Sequence, residues 1–308
     1  MRRRGFMRAS VALCGAAGSL RAAARVAPSP ARIAPGVVTR PIPVSGERVP
    51  AIGMGTWITF NVGPDPRALA ARSEILRLFF EGGGTLIDSS PMYGRAERVL
   101  GDLLPALGRH ADAFSATKVW TPGRLNGERQ MYASLDFWGL RRFDLMQVHN
   151  LVDVGTQLGL LRQWKAAGRI RYLGLTTSHG RRHEELEALM RREPLDFVQF
   201  SYSLADRSAE RVLLPLAAER GIAVIANRPF DGGELFARVR GRALPPWAER
   251  WGIANWAQLF LKFVISHPAV TCAIPATSQP QHMRENIGAL APPLPDPEAR
   301  ERIARLLA

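Results

Sequence analysis

Four residues of this chain carry side chains suited to moving a proton: Asp88, Tyr93, Lys118 and His149. Three of them have ordinary readings when taken alone. Asp88 can cap the turn at Ser89-Ser90-Pro91, Tyr93 can be a packing aromatic, and a lone His149 is more often a satisfied core histidine. Lys118 is harder to dismiss. The chain holds 38 arginines and three lysines, so a plain positive charge is nearly always written as Arg. A lysine at the end of an apolar run marks a place where Arg would not do, because an ammonium is a compact point charge that can lose its proton when desolvated. A carboxylate, a phenol, an amine and an imidazole are the parts of an acid–base site, provided the fold collects them.

From about residue 50 the chain alternates between short, β-branched apolar runs and segments of helical period. Strands are expected at 52–57, 85–89, 114–119, 143–149, 172–176, 197–201, 223–226 and 272–275. Helices are expected at 66–81, 96–107, 125–138, 156–167, 181–191, 208–220, 254–265 and 280–290. The first helix stops at Gly82-Gly83-Gly84, and Gly168 and Gly221 sit just past helix ends. Strict βα alternation implies a parallel sheet. Eight units in this length fit the α/β class as a closed (β/α)8 TIM barrel. No G-x-G-x-x-G follows the first strand, which argues against a doubly wound dinucleotide fold. A β-hairpin within 37–50 precedes the barrel and is placed to plug its N-terminal end. In such barrels chemistry sits at the C-terminal strand ends. Asp88, Lys118 and His149 fall at the ends of strands two, three and four, and Tyr93 lies in the loop after strand two.

At these residues the sequence resembles the aldo-keto reductase family, over about Ile52 to Leu290. Asp88-Ser89-Ser90-Pro91-Met92-Tyr93-Gly94, with Glu97 and Leu100-Gly101 after it, is similar to the family's Asp-x4-Tyr-Gly signature. Ala116-Thr117-Lys118 is similar to its lysine motif, and Leu145-Met146-Gln147-Val148-His149 to its histidine strand. Gly53-Met54-Gly55-Thr56-Trp57, Gly168-Arg169-Ile170-Arg171-Tyr172-Leu173-Gly174, and Ile274-Pro275-Ala276-Thr277 through Arg284-Glu285-Asn286 resemble further motifs. The resemblance implies a catalytic tetrad of Asp88, Tyr93, Lys118 and His149 and hydride transfer between a nicotinamide and a carbonyl carbon. It implies that Lys118 lowers the pKa of Tyr93, the general acid, that Asp88 orients Lys118, and that His149 orients the carbonyl oxygen.

The resemblance also implies a dinucleotide extended across the rim. Thr56, Thr176, Thr177 and Gln199 fall at its nicotinamide end, and Gly232 and Gly233 offer backbone N–H groups to the pyrophosphate. Asn227 and Arg228 stand where the family commonly has a stacking aromatic, so stacking is either lost or supplied from elsewhere, by the Arg228 guanidinium or Tyr202. Thr277, His282, Arg284 and Asn286 face the adenosine end, with Ala276 where a phosphate-binding lysine is common. NADP(H) is favoured over NAD(H), on family preference and positive charge. Trp57, Trp120 and Asn150, with Phe60, Trp247 and Trp251, are expected to shape an aromatic substrate pocket without an anion clamp. The expected partner is a small-molecule carbonyl or alcohol. A dinucleotide-binding sensor with little turnover is the alternative from another class. A metal-dependent hydrolase would need several converging ligands, and only His149 and His179 are so placed.

Composition narrows the remaining classes. Hydrophobic residues make up 46% and charged residues 22% of 308, which is ordinary for a globular chain. Two cysteines, Cys14 and Cys272, make no disulfide framework. No run of about 20 apolar residues supports a membrane span. The net charge of +14 raises nucleic acid as a partner. Six arginines lie in the first 27 residues, however, and setting them aside lowers the charge to +8. No basic run is interleaved with aromatics, so nucleic acid is not expected. Arg2-Arg3-Arg4, the weakly apolar stretch from Met7 to Leu20 and the small residues Ala22-Ala23-Ala24 resemble a twin-arginine export signal. The expected domains are therefore an export signal (1–27), a linker (28–36) and one barrel (37–308). The expected location is periplasmic or otherwise exported, or cytoplasmic if the leader does not function.

Overall fold

The computed structural model describes residues 35–307, so the leader and most of the linker lie outside the described residues. Two short strands, β1 (Thr39–Pro41) and β2 (Arg48–Pro50), form an antiparallel hairpin. Eight parallel strands follow: β3 (Met54–Gly55), β4 (Leu86–Asp88), β5 (Phe114–Val119), β6 (Phe143–Val148), β7 (Ile170–Thr176), β8 (Phe197–Ser201), β9 (Ala223–Asn227) and β10 (Cys272–Ala273). Each pairs with the next in chain order. The ring closes through bridges from Ile52 to Ala273 and from Gly55 to Ala276. The closing strands are brief because their backbones approach closely. A Cβ on Gly53 would stand 2.8 Å from the Leu86 carbonyl oxygen, and one on Gly55 2.9 Å from that of Ile274. Only glycine permits this seam.

Around the ring run α1 (Pro66–Glu81), α2 (Ala96–Ala106), α3 (Arg124–Trp138), α4 (Val154–Ala166), α5 (His183–Arg192), α6 (Leu213–Arg220), α7 (Glu234–Arg238), α8 (Trp256–Ile265), α9 (Pro280–Gly288) and α10 (Pro297–Ala304). The helix α1 starts where the Asp65 side chain accepts from Arg67 N at 3.0 Å, with Pro66 in the first turn. It ends at Gly82, as expected. Most helix bounds shift by one or two residues from expectation, and two of the departures have a clear local cause. The one expected over 208–220 splits into a 3-10 turn (Ser208–Glu210) and α6, because the ring of Pro215 would clash with the Arg211 carbonyl in a continuous helix. The one expected over 181–191 starts at His183, because His179, Gly180 and Arg182 adopt left-handed φ of 61°, 64° and 58°.

The strands' period of two sorts side chains into two cores. Outward residues pack against the helices. Inward residues near the N-terminal strand ends form a second cluster, among them Leu86, Phe114, Leu145, Tyr172, Phe197 and Ile225. Ile42 and Val49 of the hairpin belong to that cluster, so the hairpin plugs the barrel floor. Tyr172 Oη fastens the plug, bonding Ser45 Oγ and Glu47 Oε2 at 2.7 Å each. Two residues further along the same inward columns the type changes. Leu86 gives way to Asp88, Ala116 to Lys118, Leu145 to Gln147, Phe197 to Gln199 and Ile225 to Asn227. One face of the sheet is thus an apolar floor below and a polar site above.

Candidate active site

Lys118 is fully buried, and its ammonium lies 2.5 Å from Asp88 Oδ2 and 2.8 Å from the Ser89 carbonyl oxygen. It also donates to Tyr93 Oη at 3.4 Å. Burial pushes its pKa down, but Asp88 and Tyr93 outweigh burial and the pKa ends above the ordinary lysine value. Lys118 is therefore a fixed cation. The other carboxylate oxygen of Asp88 accepts from two amides, Gln147 Nε2 at 3.1 Å and Gln199 Nε2 at 3.0 Å. Three donors hold Asp88, which fixes the carboxylate that aims Lys118.

Tyr93 ends a 3-10 turn (Pro91–Tyr93) that starts with Ser90 Oγ accepting from Met92 N at 3.2 Å. Gly94 follows with φ of 62°, backbone that favours glycine. The phenol departs from expectation in one respect. Lys118 does draw its pKa down, but burial, with the Asp88 charge behind it, wins, and the pKa lies above the ordinary phenol value. Tyr93 therefore keeps its proton at neutral pH. His149 packs its ring on that of Tyr93, with centroids 5.7 Å apart and planes at 85°. Burial first, and Lys118 second, push its pKa down to about 2. The imidazole is neutral. Its Nδ1 lies 2.9 Å from Ser90 Oγ, and a hydroxyl that donates there leaves the ring proton on Nε2, the tautomer able to donate into the cavity.

All four residues meet at the C-terminal mouth of the barrel. Asp88, Tyr93 and His149 line a cavity of about 630 Å³ there, within the usual range for small-molecule sites. Trp57, Asn150, Thr56, Thr176, Thr177, Gln199, Asn227, Arg228, Gly232 and Gly233 share its wall. Several of these polar groups are already engaged. Thr56 Oγ1 donates to the Asp88 carbonyl oxygen at 3.0 Å. Thr176 Oγ1 accepts from Asn150 N at 3.0 Å. The Asn227 amide donates to the Thr177 carbonyl oxygen at 2.9 Å and accepts from Ser201 Oγ at 2.8 Å. Arg228 leans from β9 towards the loop after β7, where Nη1 donates to His179 Nε2 at 2.9 Å. A Cβ on Gly232 would come within 2.9 Å of that guanidinium.

Other expected residues fall elsewhere. Trp120 lies outside the cavity wall but packs on His149, with centroids 6.4 Å apart. Phe60 is buried in the outer core, and Trp247 and Trp251 pack against that core. Tyr202 is also buried, with its hydroxyl tied to Glu210 at 2.5 Å and Arg300 at 2.8 Å, so it does not substitute for a stacking aromatic. Thr277, His282, Arg284 and Asn286 lie outside the cavity wall. Arg284 pairs with Glu74 at 3.4 Å, and His282 is exposed. Gln147 and Ser90, which hold Asp88 and His149, were not singled out by residue type. Strand parity would have found Gln147, which lies between the inward-facing Leu145 and His149. The cavity also carries an unexpected charge, since Arg181 and Arg182 line it.

A dinucleotide fits this site by one independent observation. Of eight buried side-chain polar atoms without partners among the described residues, two fall on residues of the expected dinucleotide site, Thr177 Oγ1 in the cavity wall and Asn286 Nδ2 on α9. Such atoms are costly unless a ligand or water pairs them. They belong to residues expected at opposite ends of the dinucleotide.

The model of the aldo/keto reductase family matches residues 51–306. The chain belongs to the aldo-keto reductase family. The methylglyoxal reductase YeaE of Escherichia coli (strain K12) is 28% identical over 247 residues, covering 79% of this chain and 86% of that one. An NADH-specific methylglyoxal reductase of the same organism is 25% identical over 304 residues, covering 80% and 92%. The crystal structure of an aldo/keto reductase from Klebsiella pneumoniae in complex with NADP and acetate has a TM-score of 0.73 at 27% identity, covering 85% of this chain and 93% of that one. Family and relatives make this aldo-keto reductase an NAD(P)-dependent oxidoreductase acting between carbonyl and alcohol.

Proposed function

We propose that this aldo-keto reductase works chiefly as a carbonyl reductase, with Tyr93 as the proton donor. The observation that carries this reading is the protonation pattern. A phenol that keeps its proton and a neutral imidazole face one cavity, with a fixed ammonium behind them. When bound, the reduced nicotinamide supplies the hydride to the carbonyl carbon. His149 Nε2–H donates to the carbonyl oxygen and holds it beside Tyr93. As negative charge grows on that oxygen, Tyr93 transfers its proton, and Lys118 steadies the phenolate left behind. Solvent then reprotonates Tyr93. Thr177, Asn286, Arg228 and the glycines Gly232 and Gly233 are the residues that would hold the dinucleotide.

NADP(H) is the form we favour, supported by the Klebsiella complex and the basic chain. Titration of cofactor fluorescence with NADPH and NADH separately tests it, and tighter NADH binding overturns it. A generic aldehyde added to the same cuvette tests turnover. Tyr93→Phe should lower kcat about 10³-fold with cofactor affinity unchanged. Retained turnover would favour a binding protein whose residual chemistry does not use Tyr93. Reduction should be flat between about pH 5 and 9, because Tyr93 and Lys118 titrate above their ordinary values and His149 at about 2. We also propose export, supported by Arg2-Arg3-Arg4 and the apolar stretch after them. N-terminal sequencing should then find a mature chain starting near residue 28 outside the cytoplasm.

A further inference from the structure

We propose that the loop after β7 builds a carboxylate subsite from Arg181, seconded by Arg182, so that the preferred substrate is an oxo acid. This rests on the reductase reading and names its substrate class. In such a substrate the carboxylate stands apart from the carbonyl that is reduced.

The charges of the cavity wall carry the inference. Among the described residues, its one carboxylate is Asp88, already paired with Lys118 at 2.5 Å. Against it stand three guanidinium groups, of Arg181, Arg182 and Arg228. Two of these are occupied. Arg228 donates to His179 at 2.9 Å and lies 3.5 Å from Asp231 Oδ1. Arg182 pairs with Glu185 at 2.7 Å. Arg181 has no carboxylate partner and no side-chain hydrogen bond among the described residues. The nearby Asp206 is turned to Ser208, with Oδ1 accepting from its backbone N at 3.2 Å and its hydroxyl at 2.7 Å. One free positive charge therefore faces the cavity.

The position is that of a substrate contact. Arg182 Nη1 donates to the Asn150 carbonyl oxygen at 2.6 Å, and Asn150 directly follows His149. The arginine loop is thus pinned beside the imidazole that faces the carbonyl. Gly232, Gly233 and Ala276 belong to the loops after β9 and β10, and the arginine loop meets that side through His179, which accepts from Arg228 at 2.9 Å. Three residues of the arginine loop hold left-handed backbone, His179, Gly180 and Arg182, which fixes its path. A guanidinium grips a carboxylate through two parallel N–H donors, so a single free arginine suits a monoanion.

Matched substrates test this on the full chain. Steady-state reduction of 4-oxobutanoate is compared with that of its methyl ester, and 4-carboxybenzaldehyde with methyl 4-formylbenzoate. The acids should exceed their esters about tenfold in kcat/KM, as one charge-assisted contact allows. The preference should shrink as salt is added. Arg181→Gln should bring acid and ester within about twofold of each other through KM, with ester reduction and cofactor affinity unchanged. Equal rates for acid and ester in the wild-type protein overturn the subsite alone. Weakened cofactor binding in Arg181→Gln overturns it too, by assigning the charge to the dinucleotide. Turnover of no acid or ester, with cofactor bound, overturns the reductase reading and the subsite together.

Discussion

Two of the three lysines are wholly buried, and the molecule uses them in opposite ways. Lys118, at the mouth of the barrel, meets a carboxylate at 2.5 Å, and its pKa is raised. Lys262, on α8, meets three backbone carbonyl oxygens, of Trp251 at 2.6 Å, Ala291 at 2.7 Å and Pro293 at 3.0 Å. Among the described residues no acid answers it, and burial pushes its pKa down to about 8. On the proposed mechanism Lys118 is a charge kept in reserve for chemistry, at a site whose other members are held by hydrogen bonds. Lys262 is a clamp that ties the turn ending at Trp251 to the segment after α9. The two positions share a coordination pattern. In both, three ammonium protons meet three acceptors in a space too small for a guanidinium fork.

Truncating each lysine separates the two roles. Lys118→Met should lower kcat about 10³-fold, because Tyr93 loses the cation that receives its negative charge. The fold should survive, though Asp88 would be left with two amide donors and no cation. Lys262→Met should do the reverse. Three carbonyls lose their donor, and unfolding free energy should drop by about 3 kcal/mol. With that loss the melting temperature falls by about 6 to 12 °C, while kcat at low temperature stays near the wild-type value. A Lys262→Met protein that melts normally but does not turn over would break the comparison.

The pH dependence of stability sharpens it. Lys262 has a folded pKa of about 8 against 10.5 for the free side chain. Below pH 8 both states hold the proton and the group contributes no slope. Between about 8 and 10.5 the folded state releases it first, so the unfolded state binds more protons and unfolding free energy rises with pH. Denaturant titrations at pH 7 and pH 10 should therefore show the gap between wild type and Lys262→Met widening by about 2 to 3 kcal/mol. Lys118 has the opposite sign, since its raised pKa makes its contribution fade only at the alkaline end.

What was legible in the sequence divides along the same line. The eight strands stood out because apolar, β-branched runs alternate with helical period, and the four candidate acid–base residues because Asp88, Lys118 and His149 fall at strand ends and Tyr93 in the loop after Asp88. The plug was legible too, as a short hairpin before the first strand. Residue type was silent on Lys262, which reads as one more basic residue on an amphipathic helix until the carbonyls around it are seen. It was equally silent on Arg181, one arginine among 38. The phenol's raised pKa was missed because a neighbouring cation was weighed and burial was not. Partners distant in sequence, and the depth at which a group sits, are tertiary properties that spacing does not encode.

Gln147 gives the smallest effect and the most local test. Its amide is one of two on Asp88 Oδ1, and Gln199 supplies the other. Gln147→Leu keeps the volume and removes one donor. Lys118 still binds the second oxygen, so the carboxylate stays in place on one side and is free to rock on the other. A misaimed ammonium should cost about tenfold in kcat, roughly 1.4 kcal/mol. KM and cofactor affinity should not change, since Gln147 does not belong to the cavity wall. The double variant with Gln199→Leu should lose more than the two singles combined, because only then does Oδ1 stand buried without any donor. Additive losses would show instead that each amide acts by itself, and that Asp88 is aimed by Lys118 alone.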